Sequence, residues 1–176
     1  VRAAGPSPGT LVTMSAPARR ELPALGPRGE GWVAIQAVLL VLLGVATVRG
    51  APWPDALRTP MLIVAVAIGA IGVVLFVGGM FRLGAQLTPF PKPVEGGALR
   101  DDGVYRFARH PIYGGVVLLA SAWTLVSSYL GVVPMILLGL LFEVKSRREE
   151  LWLLEHLEGY EDYRHRVRHR LLPYVW

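Results

Sequence analysis

The longest apolar stretch of the chain is Ile112–Phe142, IYGGVVLLASAWTLVSSYLGVVPMILLGLLF. One membrane-spanning helix needs about 20 apolar residues, so this stretch is too long for a single span. Ser127–Tyr129 and Gly131 supply polar and turn-forming residues near its middle. We therefore predict a tight helical hairpin with arms at Tyr113–Ser128 and Leu130–Phe142.

The second arm is short for a bilayer, so its helix must continue into the polar segment that follows. Leu153, Leu154 and Leu157 share one face of that continuation. The pattern predicts an amphipathic helix over Phe142–Leu157, and we place this cytoplasmic helix and the basic tail together at 143–176. The tail is typical of a segment at the level of the lipid headgroups.

Two further apolar stretches precede the hairpin. Gly31–Val48 begins with Trp32, in the usual position of an interfacial anchor. Its only strongly polar side chain is Gln36, for which we expect a hydrogen bond to another helix. Met61–Phe81 has no charged residue, and its glycines permit close helix packing. The sequence therefore predicts an all-α, polytopic membrane helical bundle of about four transmembrane helices, with spans near 31–48, 61–81, 113–128 and 130–142.

Composition also indicates a membrane protein. Of the 176 residues, 53% are hydrophobic, and the mean hydropathy is +0.45, which is high for a soluble domain. Because the chain has no cysteine, disulfides, thiolate metal sites and cysteine nucleophiles are excluded. The pI near 10.0 reflects arginine, which in membrane proteins marks cytoplasmic loops and contacts with anionic lipids. No nucleic-acid-binding motif accompanies this charge, so we expect no nucleic-acid partner.

The remaining segments predict the domain boundary and the topology. Residues 1–30 lack apolar periodicity and are rich in Pro, Gly, Ala and Arg, so we expect a disordered segment before a membrane domain at 31–176. Basic residues concentrate in Arg82–Ile112 and in the tail, whereas Arg49–Pro60 and Ser127–Gly131 carry little net charge. The positive-inside rule then places the N-terminus, the middle loop and the tail in the cytoplasm. We expect a multi-pass protein of a bacterial plasma membrane.

Two polar clusters flank the apolar hairpin. Gly103–Gly115, GVYRFARHPIYGG, places two arginines, a histidine and two tyrosines before and within the first arm, and Lys145–Glu150, KSRREE, follows the second. Spanning a bilayer requires none of these side chains, and ionisable groups in such positions indicate a functional site. We predict that the clusters meet in one site, with the Pro- and Gly-rich loop 87–112 as part of its wall.

The first cluster suits a helix N-terminus. Pro111 fits the first turn of a helix, which would put His110 at the cap and Tyr113 within that turn. Unpaired N–H groups there attract carboxylates or other acceptors. The alternative is that Arg109 and His110 only anchor the span at the headgroups. No second histidine or carboxylate lies at ligand spacing, so no metal site is predicted.

The second cluster contains adjacent carboxylates. Glu149 and Glu150 point about 100° apart on a helix, so one can face a pocket while the other pairs with a basic neighbour. Lys145 lies four residues before Glu149, and Arg147 lies three before Glu150, so either pair can form along the helix. The alternative is a solvated charged face.

These motifs resemble those of a known family. The pattern Gly-x-Tyr-Arg-x-x-Arg-His-Pro-x-Tyr-x-Gly at 103–115 resembles the signature of membrane methyltransferases related to isoprenylcysteine carboxyl methyltransferase, a group that includes the phospholipid N-methyltransferases. Glu-Glu-x-x-Leu at 149–153, Gly-Tyr-x-x-Tyr at 159–163 and Leu-Pro at 172–173 look like the second half of that family. The resemblance runs from Leu87 to the C-terminus.

The resemblance implies a methyl donor and a class of acceptor. The donor would be the cofactor S-adenosylmethionine, and the acceptor a lipophilic molecule that carries an isoprenylcysteine-type carboxylate, a phospholipid amine or another nucleophile. His110 would lie near the methionyl carboxylate and Glu149 near the ammonium or ribose. Lys145 stands where methyl-esterifying members have an arginine, and a lysine cannot make the bidentate contact to a substrate carboxylate. The implied cofactor-binding residues are Leu99, Arg100, Gly103, Tyr105, His110, Pro111, Tyr113, Glu149 and Glu150, and the candidate catalytic side chains are Glu149, Glu150, Lys145 and Arg148.

Two other functions stay open at this level. Sterol reductases carry a similar Arg-His-Pro-x-Tyr-x-Gly segment and bind NADPH there, but they are longer and have more spans. A non-catalytic membrane scaffold that kept the shape is the other alternative, against which the intact Tyr105, His110, Tyr113 and Glu149 argue. The Glu-Glu helix and the Tyr-x-x-Tyr tail favour the methyltransferase over the reductase.

Overall fold

The computed structural model describes residues 22–92 and 96–175, and within these ranges it contains helices and no strands. The prediction of an all-α helical membrane bundle is confirmed. Short 3₁₀ turns occur at Gly84–Gln86, Gly103–Arg106 and Tyr129–Gly131. The α-helices are α1 (Glu30–Arg49), α2 (Asp55–Leu83), α3 (Pro111–Ser127), α4 (Val132–His156) and α5 (Tyr160–Arg166).

Three helices, α1, α2 and α4, are long and apolar enough to cross a membrane, and α3 is a shorter apolar helix. At about 1.5 Å per residue, the 29-residue α2 is about 43 Å long and the 17-residue α3 about 25 Å. The outward faces of α1 and α2 expose many aliphatic side chains, such as Val41, Ile63 and Val66. Apolar surface on this scale marks a face that contacts lipid or a partner.

The predicted break in the apolar stretch 112–142 is confirmed. Helix α3 ends at Ser127, and the Ser128 hydroxyl accepts a hydrogen bond from the Leu130 amide at 3.2 Å. A 3₁₀ turn then leads into α4, which continues without interruption to His156. The second arm and the polar segment after it are therefore one helix, as the length argument required.

The two short loops lie together at one end of the bundle. The Ser128 hydroxyl donates to the Ala51 carbonyl at 2.7 Å, and the Trp53 indole N–H donates to the Thr124 carbonyl at 3.0 Å. The first of these loops comprises only residues 50–54, shorter than the predicted Arg49–Pro60, because α2 begins at Asp55. The long middle segment and the tail occupy the opposite end, where both polar clusters lie.

Two expectations for the start of the chain need correction. Trp32 is buried, and its indole N–H donates to the Pro23 carbonyl at 3.3 Å, so it is a core residue and no interfacial anchor. The segment 1–30, predicted to be disordered, overlaps the described residues from residue 22 onward. In this overlap the Arg28 guanidinium lies over the Phe90 ring, 4.4 Å from its centroid. Helix α1 already begins at Glu30. Residues 1–21 lie outside the described residues.

Helices α2 and α3 pack backbone against backbone. A Cβ atom added to Gly115 would lie 2.6 Å from the Phe76 amide nitrogen and 2.8 Å from the Gly72 carbonyl oxygen. Glycine is needed here because any side chain would force these helices apart. This contact fixes the height of the α3 N-terminus, which carries part of the candidate site.

Replacing Gly115 with alanine is expected to destabilise the protein by about 1–3 kcal/mol, since the added methyl group overpacks the α2–α3 contact. Gly44→Ala is the matched control, because a Cβ at Gly44 meets nothing within 4 Å. Alanine favours a helix by about 1 kcal/mol over glycine, so the control should be neutral or stabilising. Thermal unfolding in detergent measures both, and equal midpoints for the two variants would contradict this packing.

Candidate functional site

A cavity of about 600 Å³ lies at the end of the bundle that carries the polar clusters. Its volume falls within the range of about 300–1,000 Å³ that is typical of small-molecule and cofactor pockets. All five helices contribute side chains to it, as do the loop residues between α2 and α3. Both polar clusters line it, so the prediction that the two clusters meet is confirmed.

The chemistry of the lining differs between walls. The side chains from α2 and from the first turns of α3 are apolar apart from Tyr113, and include Phe76, Met80 and Val116. The side chains from the middle loop, the polar half of α4 and α5 bring carboxylate, imidazole and phenol groups. They also bring four cationic side chains, those of Lys92, Arg100, Arg109 and Lys145. The cavity therefore offers an apolar surface beside a polar, aromatic one.

Glu149 provides the cavity with a fixed carboxylate. The Tyr113 hydroxyl donates to its Oε2 at 2.7 Å, and His110 Nδ1 lies 3.8 Å from the same oxygen. The rings of His110 and Tyr113 are parallel with centroids 5.6 Å apart, and Tyr113 stacks in turn on Phe142 at 4.8 Å. The Glu149 side chain keeps 23% of its surface exposed, so its charge is accessible from the cavity.

Glu150 is buried behind the cavity wall. The Arg109 Nε donates to its Oε1 at 2.8 Å, and the Arg170 Nε donates to the same oxygen at 3.2 Å. The expectation that one glutamate faces a pocket while its neighbour pairs with a basic group is confirmed. The partner is not the predicted Arg147, whose Nε donates to Glu143 at 2.6 Å.

Lys145 does not pair with Glu149 either. Its Nζ donates to Gln36 Oε1 at 2.8 Å and to the Pro89 carbonyl at 2.9 Å, and its side chain is almost fully buried. The buried ammonium points toward α1, so these hydrogen bonds replace the pairing with Glu149 that the i to i+4 spacing predicted. The hydrogen bond expected for Gln36 to another helix is confirmed, and Lys145 joins α4 to α1 and to the Pro-rich loop.

The structure brings most of the predicted site residues together. Of the remainder, Gly103 packs against the Arg82 side chain at a φ of +57°, and the Arg148 guanidinium lies over the Trp152 ring at 4.5 Å. Pro111 is the first residue of α3, as predicted, with His110 at the cap. The cavity is lined by Leu99, Arg100, Tyr105, His110, Tyr113, Lys145 and Glu149, and is not lined by Gly103, Pro111, Arg148 or Glu150.

The C-terminal tail forms a structural part of the site. The amides of Arg109 and His110 donate to the carbonyls of His169 and Arg170 at 3.0 and 2.8 Å. Arg109 Nη1 also donates to the Val167 carbonyl at 2.6 Å. Arg170 pairs with Glu143 as well as with Glu150. The tail thus holds His110 in place from behind, a role that sequence reasoning did not predict.

Three tyrosines complete the polar wall. Burial, reinforced by nearby carboxylates, raises the pKa of Tyr105 and of Tyr160 above the usual value, so both phenols stay neutral. Burial likewise raises the pKa of Tyr163, whose hydroxyl donates to the Tyr105 carbonyl at 2.8 Å. Sequence reasoning did not assign Tyr160 or Tyr163 to the site individually, although the Tyr-x-x-Tyr motif contained the signal.

Two buried polar atoms on this wall lack a hydrogen-bond partner among the described residues, the Tyr160 hydroxyl and His110 Nε2. His110 Nε2 lies 3.3 Å from Glu150 Oε1, but without the alignment of a hydrogen bond. Buried polar groups are normally satisfied. Both residues line the cavity. The Tyr160 hydroxyl is available to a bound polar ligand, whereas His110 Nε2 lies against the Glu150 carboxylate behind the wall.

The scan against protein-family models finds no matching family, and the search of curated proteins finds no matching relative. Over the described residues, fold and site together define an all-helical membrane bundle with a large, partly polar cavity at the end where its polar clusters meet.

Proposed function

We propose that the chain is an integral membrane methyltransferase that binds S-adenosylmethionine in the cavity and methylates a lipophilic acceptor. The observation that carries the proposal is the fixed, accessible carboxylate of Glu149 beside the buried aromatic wall. The methyl donor combines an ammonium, a sulfonium and a carboxylate. A cavity for it needs an anion, aromatic faces and neutral donors, and this one has all three.

The residues present fit that ligand. Glu149 suits the ammonium, because charge-assisted hydrogen bonds to a carboxylate are strong. The faces of Tyr105 and Tyr160 suit the positive sulfonium. The Tyr160 hydroxyl, which has no partner among the described residues, suits the methionyl carboxylate. When bound, the cofactor supplies an activated methyl group, and the buried walls supply positioning and exclude water.

The apolar wall suits the acceptor. Phe76, Met80 and Val116 come from helices whose outer faces are themselves apolar, so a lipophilic molecule could reach the cavity sideways between the spans. An isoprenylcysteine-type carboxylate, a phospholipid amine and another small lipophilic nucleophile all fit this description. In the proposal Lys145 has a structural role, because it links α4 to α1 and to the Pro-rich loop at the cavity wall. Arg148 does not line the cavity and has no direct part in binding or methyl transfer.

The proposal places the cavity on the cytoplasmic side. The polar end of the bundle carries the basic loop 82–112 and the basic tail, whereas the loops at 50–54 and 128–131 contain no lysine or arginine. The positive-inside rule assigns the basic end to the cytoplasm, where S-adenosylmethionine is available.

Calorimetric titration of the detergent-purified chain tests the ligand. We expect saturable heat with S-adenosylmethionine and none with NADPH, because NADPH carries no cationic group to pair with the Glu149 carboxylate. Binding of NADPH alone would contradict the proposal and favour the reductase. A chain that binds neither ligand would contradict it in favour of the non-catalytic scaffold.

A further inference from the structure

A second hollow, of about 170 Å³, lies beside the tail. It shares no lining residue with the large cavity. Its walls come from the end of the 3₁₀ turn before α3 and the residue after it, and from the last residue of α5 and the tail that follows. The lining residues are Arg106, Phe107, Arg166, Val167, Arg168, His169 and Tyr174.

The hollow carries uncompensated positive charge. Arg166 pairs with Asp101 at 2.8 Å, but Arg106 and Arg168 form no ion pair within the described ranges. Both are exposed. Guanidinium groups that line one hollow repel each other, and their planar donor sets match the oxygens of a phosphate. The charge pattern therefore selects an anion.

The rim of the hollow is apolar, which selects the source of that anion. Phe107 is 48% exposed and Tyr174 is 80% exposed, with the Tyr174 ring 5.5 Å from that of His169. Val175 next to it is also exposed. Aromatic side chains beside arginine are typical of the membrane interface, where the rings enter the headgroup layer. A soluble phosphate would gain nothing from such a rim.

The position of the hollow agrees with the headgroup level. The turn Gly103–Arg106 packs on the last turns of α2, where a Cβ at Gly78 would meet Val104 and the Arg82 side chain reaches Gly103. Phe81 in the same turns is highly exposed. The apolar outer surface of α2 therefore lies next to the turn that carries Arg106.

We propose that this hollow binds the phosphate headgroup of an anionic phospholipid, through Arg106 and Arg168, with Phe107 and Tyr174 against the lipid chains and glycerol. The proposal does not depend on methyl transfer, because the two cavities share no residue. The Arg168 carbonyl also accepts from Arg109 at 2.9 Å, so a bound lipid would hold the tail in its place behind His110.

The test measures thermal unfolding of the full chain in detergent while phosphatidylglycerol or phosphatidylcholine is added. We expect phosphatidylglycerol to raise the midpoint and phosphatidylcholine to have no comparable effect. In Arg106→Gln/Arg168→Gln the half-saturating concentration of phosphatidylglycerol should rise about tenfold or more, as expected for lost charge-assisted hydrogen bonds. Arg49→Gln/Arg58→Gln is the control, because it removes the same amount of charge from the opposite end of the bundle. Its half-saturating concentration of phosphatidylglycerol should equal that of the unmodified chain.

Native mass spectrometry of the same variants counts the retained phosphatidylglycerol without relying on unfolding. An equal rise in the midpoint with phosphatidylglycerol and with phosphatidylcholine would overturn the proposal. An equal loss of retained phosphatidylglycerol in the two double variants would overturn it as well. A rise in the midpoint with glycerol 3-phosphate that matches the rise with phosphatidylglycerol would also overturn it, since the hollow would then be a site for soluble anions.

Discussion

Replacing Glu149 with glutamine is expected to weaken S-adenosylmethionine binding by about 10- to 100-fold, while the protein stays folded. A hydrogen bond to a charged group contributes about 1.5–3 kcal/mol, which converts to this range of affinity. Glutamine preserves the shape of the side chain, and its carbonyl oxygen can still accept the Tyr113 hydroxyl. The change therefore removes the charge and little else.

Glu155→Gln is the matched control for this change. Glu155 lies on the same helix, its side chain is 67% exposed, and it does not line the cavity. We expect the dissociation constant of Glu155→Gln for S-adenosylmethionine, measured by calorimetry, to equal that of the unmodified chain. An unchanged affinity in Glu149→Gln would show that the carboxylate is not part of the cofactor site. Equal weakening in both variants would point to a long-range charge effect.

Replacing Arg109 with methionine is expected to lower the thermal unfolding midpoint by about 6–20 °C. The side chains of Arg109 and Glu150 are each only 5% exposed, so the change leaves a buried carboxylate short of its main partner. Breaking a buried ion pair in this way costs about 3–5 kcal/mol, and each kcal/mol shifts the midpoint by about 2–4 °C for a chain of this size. Arg170 compensates only in part, because Glu143 shares it.

Two further variants separate this effect from general loss of charge. Arg82 pairs with Asp102 at 2.7 Å, but both side chains are half-exposed, so Arg82→Met should cost less than about 1 kcal/mol. Arg109→Met/Glu150→Leu should recover part of the lost stability, because it removes the unpaired charge as well. A midpoint for Arg109→Met that matches Arg82→Met would contradict the buried pair.

The helices of the bundle could be predicted from the sequence, because the patterns that indicate them are local or depend only on the length of an apolar segment. The polar and turn-forming residues at 127–131 locate the break in the apolar stretch, and the short second arm requires one continuous helix to follow it. Pro111 was predicted to lie in the first turn of α3 and is its first residue, two residues before the predicted arm Tyr113–Ser128. The convergence of the two polar clusters followed from the antiparallel hairpin.

Side-chain partners were harder to predict, since they depend on packing between distant parts of the chain. Local spacing favours Lys145 with Glu149, but the buried lysine binds Gln36 and Pro89. For Arg109 the sequence left open a part in the site or a role as an anchor of the span, and named no partner, whereas the side chain holds Glu150 and the tail. The backbone carbonyls of the tail accept hydrogen bonds from the amides just before α3. The sequence of the tail contains no pattern that predicts this contact.

The most direct test of the proposed cofactor cavity uses the absence of cysteine from the chain. Leu99→Cys places a single thiol in the cavity wall, and Glu161→Cys places one on the exposed surface of α5. The rate of alkylation by a maleimide is measured with and without saturating S-adenosylmethionine. We predict slower alkylation of Leu99→Cys and an unchanged rate for Glu161→Cys. An unchanged rate at Leu99→Cys would contradict the account, because the cofactor would then bind elsewhere or not at all.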